Sequence, residues 1–99
     1  MGNPLYSNSV TLGQFTRVMT GSTIALASTS LLVAKAIIRN RTGNAAVTIG
    51  FVSTPLPISI AASAEYVLDI SAFEGQRFDL SLVFVSGTDT QSIEVLYFA

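Results

Sequence analysis

The stretch R-F-D-L-S-L-V-F-V, Arg77–Val85, limits the fold more than any other part of this chain. Phe78, Leu80, Leu82 and Phe84 share one parity, while Arg77, Asp79 and Ser81 share the other. Side chains on a strand alternate between two faces, so the pattern predicts a strand with one apolar and one wet face. A helix would scatter the four large apolar groups around its circumference. Turn formers follow in S-G-T-D-T-Q, Ser86–Gln91, and strand-forming residues resume over Ser92–Phe98. The expectation is a C-terminal hairpin.

Earlier segments repeat this grammar. L-L-V-A-K-A-I-I, Leu31–Ile38, is compatible with helix by propensity, but it is short and ends at Arg39-Asn40-Arg41. The turn signal Thr42-Gly43-Asn44 then leads into A-A-V-T-I-G-F-V, Ala45–Val52, where Val47, Ile49 and Phe51 alternate. Two strands flanking T-G-N predict a second hairpin. Two prolines keep Ser53–Pro57 out of a sheet interior, because each removes a ladder donor. Ile58–Ile60 reads as a short strand and Ala61–Ala64 as a turn of small residues. Glu65–Ile70 places Tyr66, Leu68 and Ile70 on one face. Ser71–Gln76 reads as a single helical turn or a loop with Phe73 tucked beneath it. Nearer the start, Ser9–Met19 alternates weakly, with Gly13 inviting a bulge or bend, and Thr23–Ala27 is a short strand.

Together these segments predict an all-β fold. It is a single β-sandwich or jelly-roll-like domain over residues 9–99, built of roughly seven or eight short antiparallel strands. An extended N-terminal arm, residues 1–8, precedes it. That arm, M-G-N-P-L-Y-S-N, reads either as a frayed terminus or as a segment laid across a neighbour with Leu5 and Tyr6 as anchors.

Composition bears on what surrounds such a domain. The chain of 99 residues is 49% hydrophobic and only 11% charged, against about 25% charged in ordinary soluble proteins. A small sandwich this poor in charge leaves apolar surface to be covered, and the expected cover is other subunits; the alternative is a tightly folded monomer whose Ser/Thr/Asn-rich skin solvates it. Net charge is −1, and only Lys35, Arg39 and Arg41 cluster among the basic residues, far short of a phosphate-tracking groove, so no nucleic acid is expected. The longest apolar run, Val95–Ala99, is five residues against the ~20 of a membrane span, so no membrane partner is expected. The first basic residue is Arg17, so a charged signal-peptide n-region is not seen, and the expected site of synthesis and use is the cytoplasm.

Chemistry is sparse. There is no histidine and no cysteine, which removes the commonest base, nucleophile and metal ligands. Lys35 is the single lysine and reads as an edge or interface residue, not as the base of a Ser–Lys dyad. Glu65 and Asp69 share a strand face about 13 Å apart at ~3.3 Å per residue, too far for either glycosidase geometry. Asp79 and Glu94, as possible cross-strand neighbours near Arg77, read as a solvated face. Gly87–Gln91 offers one carboxylate, too few for calcium. The aromatic residues read as core. No catalytic residue, cofactor or metal is expected.

The order of features resembles a known group. A strand leads into N-R-T-G-N-A-A-V-T-I-G, Asn40–Gly50; a Pro-containing loop follows, then E-Y-V-L-D-I, and the chain closes on S-G-T-D-T-Q-S-I-E-V-L-Y-F. Over Thr23–Ala99 this is similar to small β-sandwich virion structural proteins of tailed bacteriophages. In that group a Pro-Gly precedes the acidic strand, where this chain has Ala61-Ala-Ser-Ala64. The resemblance implies a capsid decoration, or cement, protein on the virion surface. Its partners would be the major capsid protein and further copies of itself as a homotrimer or homodimer, assembled in the host cytoplasm. Leu5, Tyr6, Lys35, Arg39 and Arg41 are the expected contacts. The alternatives are a minor head–tail or tail component and a carbohydrate- or receptor-binding jelly-roll module.

Overall fold

The computed structural model describes residues 12–54, 56–73 and 75–99. Among them are ten strands: β1 (Leu12–Val18), β2 (Ile24–Ala25), β3 (Leu32–Val33), β4 (Lys35–Asn40), β5 (Val47–Gly50), β6 (Ile58–Ile60), β7 (Glu65–Asp69), β8 (Phe78–Asp79), β9 (Phe84–Ser86) and β10 (Ser92–Phe98). The first sheet runs β1-β10-β4-β7 and the second β2-β9-β5-β6, and every pairing is antiparallel. The two-residue strands β3 and β8 pair with each other. The expected N-terminal arm, with Leu5 and Tyr6, lies outside the described residues.

The two sheets share one core. Ala36, Ile38, Ile93 and Val95 of the first sheet and Val47, Ile49, Ile60 and Val85 of the second belong to a single buried cluster, closed by Met19, Leu26, Val33 and Leu80. The chain is therefore an all-β sandwich. With β3 and β8 set aside, the eight remaining strands pair in the orders 1-8-3-6 and 2-7-4-5. Only β5 and β6 form a hairpin within one sheet; every other step between these strands crosses from sheet to sheet. That alternation is the jelly-roll path, two Greek keys wrapped on one core.

This path overturns both predicted hairpins. β4 and β5 flank the T-G-N turn, yet they lie in opposite sheets, and so do β9 and β10. The turn itself is real: Gly43 takes φ +89° and the Asn44 amide donates to the Arg41 carbonyl. Its direction is set by Asn40, which is 1% exposed. The Asn40 Nδ2 donates to the carbonyls of Ala45 (3.0 Å) and Ile60 (2.9 Å), while its Oδ1 accepts from Asn44 Nδ2 (2.9 Å). Asn44 also donates to the Ser92 carbonyl at 2.8 Å. One buried amide thus ties the end of β4 to β6 and to the loop that leads into β5. A buried amide persists only when its polar atoms are paired, and here they are.

Arg77–Val85 is not a continuous strand either. β8 ends at Asp79, a 3-10 turn spans Leu80–Leu82, and β9 begins at Phe84. Asp79 causes the break. Its Oδ1 accepts from Ser81 N (2.9 Å) and Ser81 Oγ (2.8 Å), which caps the turn. The turn shifts parity, so Leu80, Val83 and Val85 enter the core while Leu82 stands 63% exposed.

Other expectations fare variously. Tyr66, Leu68 and Ile70 are half-buried on one parity, as predicted. Gly13 makes no bulge, since β1 pairs with β10 in unbroken register from Leu12–Phe98 to Val18–Ser92. The glycine instead makes room for Tyr97, whose ring a Cβ at that position would strike. Phe73 is not tucked under its loop but 63% exposed, and Phe51 is exposed as well.

Candidate functional site

Two outward surfaces carry apolar side chains. The first is the solvent face of the β1-β10-β4-β7 sheet. Cross-strand register arranges it in rows. Thr16, Glu94, Arg39 and Glu65 form one row, Gln14, Leu96, Ile37 and Val67 the next, and Leu12, Phe98, Lys35 and Asp69 the third. The middle row is mainly apolar and exposed, with Leu96 at 39% and Val67 at 49%, and Leu12 at the corner is 66% exposed. Charged rows flank it.

Lys35 and Arg39 stand on this face, four residues apart on β4. They are not on an edge, because β4 lies between β10 and β7. The edge reading fails since the chain crosses sheets after β4 and only later returns to add β7 and β10 on either side. Each basic side chain meets a carboxylate. Lys35 Nζ is 4.0 Å from Asp69 Oδ2, Arg39 Nε is 3.6 Å from Glu65 Oε2, and Arg41, just past β4, donates Nη2 to Glu94 Oε2 at 3.3 Å. The Lys35 ammonium also lies 5.4 Å from the centre of the Phe98 ring. These exposed pairs add little stability. They do cancel the basic cluster seen in the sequence and leave a face of alternating sign.

The second surface is an open groove of about 700 Å³ at the β3/β8 end, lined by Leu32, Phe51, Leu68, Ile70, Phe78 and Leu82, with Asp69, Arg77 and Asp79 supplying polar groups. Leu32, Phe51 and Leu82 are each more than half exposed. Asp79 shapes this groove from beneath. Besides Ser81, its carboxylate accepts from Ser30 Oγ (2.6 Å) and Leu31 N (3.0 Å), which ties β3 to the 3-10 turn and turns Leu82 outward. The Ser30 hydroxyl, the Ser81 and Leu31 amides and the Ser81 hydroxyl hold the Asp79 carboxyl well below the usual carboxylate range. Asp69 is lowered too, chiefly by the Ser71 hydroxyl and amide (2.6 and 2.8 Å), with Lys35 adding attraction.

Asp79 lies opposite Leu32, and Glu94 lies between Thr16 and Arg39, so the two are not neighbours. Asp79 is held by serines and amides, and among the described residues it makes no ion pair with Arg77. No group of three or more acidic residues poised to hold a metal occurs among the described residues. What the geometry offers is surface: a shallow apolar groove, and a sheet face whose flanking charges are already paired. The sequence signalled the basic members of the sheet face but not the groove, because strict alternation places Leu82 inside. No family model, curated protein or solved structure matches the chain.

Proposed function

We propose that this protein is a non-enzymatic virion structural component, a decoration protein that docks on the outside of a bacteriophage capsid and braces contacts between major capsid subunits. The observation that carries this reading is the concentration of exposed apolar side chains, Leu32, Phe51 and Leu82, around one end groove of a chain with only 11% charged residues. Exposed apolar patches of this kind mark interaction surfaces. Many shallow contacts repeated by the symmetry of a shell add up to firm attachment without a single dominant group. The jelly roll is a frequent architecture in capsid proteins, and the likeness over Thr23–Ala99 to phage virion proteins points the same way. Fold alone would not, because jelly rolls also serve as lectins.

Adding purified protein to undecorated shells tests the reading. The protein is expected to pellet with the shells, to cover them in many copies and to raise the temperature at which they open. Binding in one ring at a single vertex would instead favour a head–tail component. Capture on a glycan array with no attachment to shells would favour the carbohydrate-binding alternative.

A further inference from the structure

The rows on the β1-β10-β4-β7 face have a symmetry of their own. Glu94 and Arg39 sit side by side in one row, Leu96 and Ile37 in the next, and Phe98 and Lys35 in the third, always with the first on β10 and the second on β4. We propose that this face is covered by the same face of a second copy, related by a twofold axis that runs along the strands between β10 and β4.

Such an axis keeps every row in place and exchanges β10 with β4. Glu94 then lies over the partner's Arg39, Leu96 over the partner's Ile37, and Phe98 over the partner's Lys35. Opposite charges meet, apolar groups meet, and an ammonium meets an aromatic ring, twice each by symmetry. The other in-plane twofold, running across the strands, puts Arg39 over the partner's Lys35 and Glu65 over the partner's Asp69. Both contacts set like charges together. The charge pattern therefore selects one arrangement and rejects the other. Aligned packing of two sheets is an ordinary geometry for strands at a small mutual angle. Twelve residues a side is modest against the roughly 20–30 of a standard interface, so the pairing is expected to depend on protein concentration.

Sedimentation velocity on the purified protein between about 1 and 300 µM reads the association, a range that brackets micromolar dissociation constants. The chain is expected to shift from monomer to dimer across that range. Arg39→Glu alone, or Glu94→Arg alone, sets like charges across the axis and weakens dimerisation by about tenfold or more. An equimolar mixture of the two variants restores it, because each heterodimer again pairs opposite charges at both positions. Rescue on mixing cannot come from a change within one monomer. A monomer at every concentration, a trimer, or variants that associate like the parent would overturn the proposal, as would a mixture no stronger than its components. Circular dichroism of each variant confirms that the sandwich is intact. Pairing is read on the purified protein alone, so its failure leaves the shell-binding reading untouched.

Discussion

Asn40 is the side chain on which the path of the chain turns. Its buried amide donates to the Ile60 carbonyl of β6 in the interior and to the Ala45 carbonyl in the loop before β5, and accepts from Asn44. Asn40→Ala takes that donor from the buried Ile60 carbonyl, and a buried unsatisfied group costs about 1–3 kcal/mol. We expect a loss of about 1–3 kcal/mol in urea unfolding; a loss below about 0.5 kcal/mol, typical of an exposed site, would contradict the role assigned to it. Asp79 sets a pH dependence. Its folded-state pKa lies below the unfolded value, near 3.8, so its contribution is complete above that value and drains away as pH falls through it toward the folded pKa. Melting curves of the parent are expected to fall steeply below about pH 4, where an unfolded carboxylate takes up its proton. Asp79→Asn starts lower at neutral pH and shows a shallower fall, with Asp69 supplying what acid sensitivity remains. Parallel curves for the two proteins would rule out Asp79 as the source.

At the scale of elements, the interrupted segment between β8 and β9 separates two accounts of the same residues. An unbroken strand makes Leu80 and Leu82 equivalent. The 3-10 turn makes them opposites, one fully buried and the other exposed. Leu80→Ala is expected to cost about 2–5 kcal/mol, and Leu82→Ala to stay within about 0.5 kcal/mol; similar losses at both positions would restore the strand. Gly13 offers a second test. Its missing side chain lets the Tyr97 ring cross β1, so Gly13→Ala is expected to destabilise by about 1–3 kcal/mol. Much less of that loss should appear once Tyr97 is trimmed to Leu, since the two positions are in contact. Strand content was legible in the sequence because period-two patterning is local: Tyr66, Leu68 and Ile70 declare their face within six residues. Partnership was not. Whether T-G-N closes a hairpin or carries the chain to the other sheet depends on an Asn40 amide reaching Ile60, twenty residues away. The parity shift is equally hidden from alternation, because it comes from Asp79 capping the turn through Ser81 and being held from across the fold by Ser30, forty-nine residues away.

For the whole molecule, the low charge content points to surface that is covered, and several of the exposed apolar groups gather in two places, a sheet face and an end groove. Lys35, Arg39 and Arg41 were picked from the sequence as a cluster; the fold turns them into three ion pairs, so their value lies in sign pattern and not in net charge. On the proposed reading the sheet face is taken by a second copy and the groove by the shell. The most direct test of the central claim compares pelleting with undecorated capsids for the parent and for Leu32→Ser/Phe51→Ser/Leu82→Ser, whose altered side chains are all exposed in the free chain. The triple variant is expected to stay folded and to dimerise as before, yet to remain in the supernatant while the parent pellets. A variant that pellets as fully as the parent, or a parent that never pellets, would contradict it.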